Sequence, residues 1–444
     1  MPGMSPAEPH PAPRRWWVHT TYFAEGMPYM VVRILSAVYF TDIGAKLRTI
    51  GYLNFLGVPW NLKFLWAPLL DLVGTRRRWQ VVMQALVGGL MALVALANIW
   101  LPGVANPERW LGAVALVFVV MAFCAATNDI AIDAYYMEGL PDKREQAAFA
   151  GVRVLAYRLA MIFVRTGLVG LAAFVAARAG KGNPYAPWLV AFGAGALMML
   201  GVSAFHAWRL PRFEAERTGP ALATPGAVWR GFARAFATYL QQDRVALVLI
   251  FIVLYRVGDE ILFSMTTPFL MRDLGVTKGQ YAWLAGFVGA AGTIVGTLLG
   301  GWWIKAKGLG KAIWPITLLM NVNMWVYVWL AWAKPDPAGT RGIVTIAVIH
   351  GYEQIAAGLG SAALLVFLLR TCQPEFKAAH YAIGSAIMSL FATVFGGFGG
   401  RMVESMGWEA YFILAFVASI PGMALLPFVP LHDDPAPTPG PRPG

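Results

Sequence analysis

Residues 126–135 read ATNDIAIDAY and place Asp129 and Asp133 four residues apart, on one face of a helix. They close a run, from about Trp110, that is otherwise apolar enough to dissolve in lipid. Carboxyl groups in such a place are candidate proton carriers, because neighbouring cations decide whether they ionise. Other charges interrupt other apolar runs: Glu25 and Arg33, Lys63, Arg153, Arg158 and Arg165, Arg256, Asp259 and Glu260, and Glu353. A charge at the centre of a bilayer costs at least about 2.5–3.5 kcal/mol, so these groups must face a bundle interior, a water-filled cavity or one another.

Their spacing sorts them. Glu25, Tyr29 and Arg33 form an i, i+4, i+8 stripe, and Arg158 and Arg165, seven residues apart, share a helix face. Asp133 and Arg153 lie at similar depth on consecutive helices and can pair as a structural ion pair, while Arg256 and Asp259, three apart, can pair within one helix. The candidates for proton coupling are Asp129, Asp133, Asp259, Glu353 and Glu25. Arg33, Lys63, Arg158, Arg256 and Asn128 are the candidates for binding an anionic substrate. A substrate anion that captures an arginine frees the acid beside it to take a proton, which is a physical scheme for proton-coupled uptake. His350, one turn before Glu353, reads as a packed polar residue, and most of the Trp and Tyr residues as interfacial anchors.

The elements that hold these groups follow from composition. At 58% hydrophobic and 13% charged over 444 residues, the chain is too apolar for a soluble globule. A crossing helix needs about 20 mostly apolar residues, and roughly twelve such segments occur, near 18–40, 50–70, 80–101, 110–137, 148–177, 186–208, 244–271, 281–304, 311–333, 342–369, 378–402 and 408–430. We number them spans 1 to 12. The ten-residue alternating segments of a membrane β-barrel are not seen. The longest polar interruption, 209–243, separates two sets of six, and its later part, Val228 to Leu240, has an amphipathic pattern suited to the membrane surface. The expected division is a disordered cytoplasmic N-terminal tail (1–16), a six-helix half (17–208), a cytoplasmic linker (209–243), a second six-helix half (244–430) and a C-terminal tail (431–444). The fold class is therefore an all-α membrane protein in two six-helix halves, the layout of the major facilitator superfamily, whose substrate site lies between the halves near mid-membrane.

The net charge of +12 orients the chain rather than binding nucleic acid. With the N-terminus inside, about 19 of the 35 Lys and Arg fall on cytoplasmic segments, which fits the positive-inside rule with both termini cytoplasmic in the inner membrane. Cys124 and Cys372 are too few for a metal cluster or a redox motif, so neither metal nor cofactor is expected. The N-terminal MPGMSPAEPHPAPRR is Pro-rich and polar, without the features of a cleaved signal, so span 1 is expected to stay. Gly292, Gly296 and Gly300, like Gly396 and Gly400, recur every four residues and signal close helix packing.

After span 2, APLLDLVGTRRR sets Asp71, Gly74, Arg76 and Arg77 in a short loop. This resembles the superfamily's loop signature of glycine, aspartate, glycine and a basic cluster, with Ala67 and Leu72 standing where a glycine and an arginine are usual. The matching loop of the second half, GGWWIKAKGLGK, has Ile304 in place of the acid.

NLKFLWAPLLD, ATNDIAIDAY, AYRLAM, LYRVGDE with TTPFL, YEQIAAGLG and AAHYAIGSA, in that order, resemble the AmpG muropeptide permease family, a branch shared with acetyl-CoA transporters and siderophore permeases. The resemblance runs from about Tyr22 to Pro430. It implies proton-driven import of anhydro-muropeptides, whose carboxylates suit Arg33, Lys63, Arg158 and Arg256, and it aligns Asp129, Asp133, Asp259 and Glu353 with the family's intramembrane acids. Asn128 stands where a glutamine is usual and Arg256 where a lysine is common; Arg165 and the EGMPY stretch at 25–29 are not family features, and the chain stops after about twelve helices. The expected partners are an anionic sugar–peptide or similar small molecule, protons and the lipid bilayer, for a monomer. Another organic anion, such as a siderophore chelate or acetyl-CoA, is the alternative cargo, and a non-transporting receptor the alternative class. No nucleophile–base, zinc or P-loop motif points to an enzyme or a nucleotide-driven pump.

Overall fold

The computed structural model describes residues 15–67, 70, 74–100, 107–179, 183–213, 225–241, 244–372 and 377–431. No strand occurs among them. Nine of their helices are long and apolar enough to cross a membrane: Arg76–Trp100, Glu108–Gly139, Arg144–Arg178, Ala186–Arg209, Lys278–Lys307, Leu309–Ala333, Thr340–Arg370, His380–Gly397 and Gly399–Leu425. They stand where spans 3 to 6 and 8 to 12 are expected. Helical residues 17–42, 47–65 and 245–273 fill the places of spans 1, 2 and 7. These three are charged or broken. Span 1 carries Glu25 and Arg33, span 7 carries Arg256, Asp259 and Glu260, and span 2 is a series of short helices and 3-10 turns around Pro59 that ends near Lys63.

The same chemistry shapes the helices locally. Spans 1, 5, 7 and 8 each widen into a π-helical turn, at Val31–Leu35, Phe163–Leu168, Phe269–Asp273 and Leu284–Val288. In spans 1 and 7 a proline, Pro28 or Pro268, lies just before the widened turn, where its missing N–H breaks the hydrogen-bond ladder. Asp142 caps span 5 through the backbone N–H of Arg144 at 2.8 Å, and Thr277 with Gln280 forms a capping box at the start of span 8.

Glycine sets how closely the spans approach. A Cβ on Gly296 would lie 2.1 Å from the Ile355 carbonyl oxygen, and one on Gly300 would lie 2.9 Å from the Ala362 Cβ, so spans 8 and 10 touch backbone to backbone. Gly400 crosses the start of span 2, where a Cβ would lie 1.9 Å from the Leu47 carbonyl oxygen. Chain direction turns again at Gly407, whose φ of 79° lies in the left-handed region, so the segment from Gly399 to there extends span 11 and span 12 begins after it.

The Gly400 crossing belongs to a seam that joins the halves at the end remote from the central linker. There the Arg272 guanidinium donates to the carbonyls of Phe40 (2.8 Å), Thr41 (2.7 Å) and Ala45 (2.5 Å), at the C-terminal end of span 1. Lys278 pairs with Asp42 at 2.9 Å, and the Arg48 N–H donates to Glu404 at 3.1 Å. A cationic fork on the exposed carbonyls of a helix C-terminus is favoured both by hydrogen bonding and by the helix dipole.

Candidate functional site

Between the halves lies a cavity of about 820 Å³, lined by spans 1, 2 and 5 of the first half and spans 7, 8 and 10 of the second. Span 1 supplies Glu25, Tyr29 and Arg33, the predicted stripe. Span 5 supplies Arg153, Tyr157, Arg158, Met161 and Arg165 from one face. Arg256 and Glu260 on span 7, Thr293 on span 8, and Gln354 and Ser361 on span 10 form the opposite wall. Five guanidinium groups thus face two carboxyl groups among the lining residues.

The guanidinium groups differ in what they hold. Arg153 bonds Asp133 at 2.9 Å, as expected, and stacks over the rings of Tyr22 and Tyr136; Tyr22 OH donates to the same Asp133 oxygen at 2.9 Å. Arg256 donates to Ser361 Oγ (2.9 Å) and to Glu260 (3.3 Å), one turn on. The expected pairing of Arg256 with Asp259 is therefore replaced, because the i+4 acid faces the cavity with Arg256 while Asp259 turns into the packed interior and is 3% exposed. Arg33 donates to the Asn54 carbonyl at 2.6 Å, and Arg158 contacts the Met161 sulfur at 3.7 Å. Arg165 reaches across to the Ala285 carbonyl of the other half at 3.5 Å. Among the described residues none of these last three has an acid partner.

Lys63 and Asn128, expected at the substrate, lie outside the cavity lining. Lys63 Nζ bonds Asp129 Oδ2, joining span 2 to span 4. Asn128 donates to the Ala24 carbonyl (3.0 Å) and accepts from Gln84 (3.2 Å). Gln84 in turn meets His206 at 2.8 Å, and His206 meets Thr20 at 2.9 Å, so a buried polar chain ties spans 1, 3, 4 and 6 together. Asp129 and Asp133 lie within electrostatic reach of Glu25, with Lys63 beside them. Three carboxyl groups here meet two cations, Lys63 and Arg153, and Glu25 Oε2 is buried without a hydrogen-bond partner.

In the second half Glu353 is fully buried. Its Oε2 accepts from Tyr327 OH and meets His350 Nδ1 at 2.8 Å, while its Oε1 and Asp259 Oδ2 have no partner. The cavity instead receives Gln354, the next residue along, which accepts from Thr293 at 2.9 Å. Gln354, Glu260, Tyr157 and Arg165 also line the cavity, although none is among the substrate or proton candidates that spacing suggests. The i, i+4 spacing of Arg256 and Glu260 was the available signal for one of them; for Gln354 a rotation of one residue around a long helix had to be known.

Of the loop motif, Asp71 lies outside the described residues. Gly74 has a φ of +70°, where glycine is strain-free. Arg77 donates to the carbonyls of Leu210 (3.0 Å), His206 (3.4 Å) and Ala207, closing the end of span 6, and Arg76 lies 3.5 Å from Glu138 at the end of span 4.

Helices in two six-helix halves around one cationic cavity define a multi-pass membrane protein with the major facilitator superfamily fold. The solved structures it resembles include a mutant form of the nucleoside transporter NupG, at a TM-score of 0.67 and 14% identity over 93% of this chain and 98% of that one. A bacterial homologue of the human lysosomal transporter Spinster, inward-facing and unoccupied, matches at a TM-score of 0.64 and 16% identity over 94% and 97% of the two chains. Within that class the resemblance to the AmpG family holds along the chain. The anhydromuropeptide permease of Escherichia coli is 29% identical over 410 residues, covering 91% of this chain and 77% of that protein. A Haemophilus influenzae protein is also 29% identical, over 424 residues, 91% of this chain and 92% of its own length. No protein-family model matches the chain.

Proposed function

We propose that this chain is a secondary active transporter of the cytoplasmic membrane, with both termini inside, that imports anhydro-muropeptide-like sugar–peptide fragments together with protons. The observation that carries the reading is the cavity between the halves, in which Arg33, Arg158 and Arg165 have no acid partner among the described residues. A cargo bearing carboxylates supplies the missing anions through charge-assisted hydrogen bonds. A cargo carboxylate that takes Arg256 releases Glu260, and a proton then restores its neutrality. In the first half, a proton is the natural third counter-charge for Glu25, Asp129 and Asp133, which share Lys63 and Arg153. The lengthwise similarity to the E. coli permease supports the choice of cargo.

The test is uptake of labelled anhydro-muropeptide into right-side-out vesicles, with and without an inward proton gradient, against vesicles lacking the protein. Gradient-dependent accumulation is expected, and Asp129→Asn and Asp259→Asn should abolish it, with uptake normalised to inserted protein because Asp129→Asn strands Lys63. Absence of uptake by folded, inserted protein overturns the cargo and directs the same assay to siderophore chelates and acetyl-CoA. Unchanged uptake in both variants overturns the coupling scheme.

A further inference from the structure

A second cavity, of about 440 Å³, lies at the end of the bundle remote from the central linker, between spans 9 and 12. It is lined by Ala331 and Lys334 at the end of span 9, by Met406 to Ala410 at the turn from span 11 into span 12, and by Ile413 on span 12. Lys334 caps span 9 in the left-handed region, with a φ of 40° and its N–H on the Leu330 carbonyl at 3.1 Å. Its ammonium pairs with Asp273 of span 7 at 3.0 Å, yet the side chain is 53% exposed, and an ammonium has donors for a second acceptor. Glu409 is exposed and has no ion-pair partner among the described residues.

An apolar strip leads from this cavity toward mid-membrane along the same two spans. Trp325, Trp329 and Trp332 share an exposed face of span 9, and Ile413, Val417 and Ile420 an exposed face of span 12, each at i, i+4, i+7 spacing. The rings of Trp325 and Phe416 meet at 5.2 Å, so the two faces border one another. Trp332, 72% exposed and two residues from Lys334, marks the membrane–water boundary, which sets the cavity at headgroup depth and the strip at the depth of acyl chains. Charge then selects the lipid. Lys334 and Asp273 balance, so Glu409 is the uncompensated group, and an anionic headgroup meets repulsion there. A zwitterionic headgroup instead sets its cation on Glu409 and its phosphate on Lys334, and only a primary ammonium brings N–H donors to the carboxylate. We propose that this cavity binds phosphatidylethanolamine, with the ammonium on Glu409, the phosphate on Lys334 and the acyl chains along the strip between spans 9 and 12. The site is independent of what the transporter carries.

The experiment is native mass spectrometry of the delipidated full chain in detergent, titrated with phosphatidylethanolamine, phosphatidylcholine and phosphatidylglycerol of identical acyl chains. The first phosphatidylethanolamine should bind about tenfold more tightly than the first molecule of either other lipid, the scale of one hydrogen bond to a charged group. Glu409→Gln should bring phosphatidylethanolamine down to the level of phosphatidylcholine without altering the latter, and Glu409→Asp should keep most of the preference. Lys334→Gln should weaken both zwitterionic lipids alike, because both carry the phosphate. Equal binding of the three lipids by the unaltered protein, or tighter binding of phosphatidylglycerol, overturns the site with no variant needed. A preference that survives intact in Glu409→Gln also overturns it, and puts the preferred lipid elsewhere on the bundle. No arm of the experiment measures transport, so failure of muropeptide uptake and failure of the lipid site are read separately.

Discussion

The Lys63 ammonium and the Asp129 carboxylate meet where span 2 passes span 4, with side-chain exposures of 33% and 12%. An ion pair taken this far from water is held more by the cost of breaking it than by its net gain, since removing one partner strands the other. Lys63→Met should therefore lower the thermal midpoint of the purified protein, at a cost of about 1–3 kcal/mol, and Lys63→Met with Asp129→Asn should recover most of the loss. Additive losses in that double-mutant cycle, measured by thermal unfolding in detergent, would show that the two groups act independently. The same logic distinguishes Asp133, whose one oxygen serves both Arg153 and Tyr22, from Asp259, which has an orphan oxygen in the packed interior. Asp133→Asn should cost stability as well as transport, and Asp259→Asn transport alone, checked by uptake and unfolding on the same preparations.

At the scale of the element, the glycine faces set the bundle's geometry. The Gly296 position leaves no room for a side chain against span 10, whereas Gly301, one residue past the packed stripe, has nothing within 4 Å of a Cβ. Gly296→Val should force spans 8 and 10 apart and cost more than about 2 kcal/mol, seen as a large fall in thermal midpoint and in yield of folded protein, while Gly301→Ala leaves both unchanged. The glycine spacing was legible in the sequence because helical period is a local property. The π-helical turns of spans 1, 5, 7 and 8 were not, because Pro28 and Pro268 announce a disturbance without saying whether the helix bends, widens or ends.

At the scale of the molecule, the seam at the end remote from the linker holds the halves together through Arg272 on three carbonyls and Lys278 on Asp42. Alternating access in this fold works by rocking one half against the other, so such a seam must open for the cavity to reach that side. Arg272→Ala should raise several-fold the labelling of Ala37→Cys, a cavity position, by a membrane-impermeant thiol reagent applied from that side. Arg272→Lys should restore the closed state only in part, because one ammonium cannot reproduce a planar fork on three acceptors. Labelling unchanged in both variants would show that the remaining contacts suffice to keep the seam shut.

The sequence by itself determined the class of molecule: the helices, their near boundaries, the two halves, and that Glu25, Arg33, Arg158 and Arg256 face something other than lipid. Length, hydropathy and helical spacing are local, and a charge in an apolar run has few places to go. Beyond the pair of Arg153 with Asp133, only the tertiary structure decided which charges meet. Arg256 chose Glu260 over Asp259, Lys63 and Asn128 turned to structural partners, Glu353 withdrew to Tyr327 and His350 while Gln354 took the cavity wall, and Arg165 emerged without an anion. Those outcomes depend on the rotation of each helix about its axis and on neighbours far away in the chain; spacing along one helix allowed Arg256 either Glu260 or Asp259 and was silent on the rest.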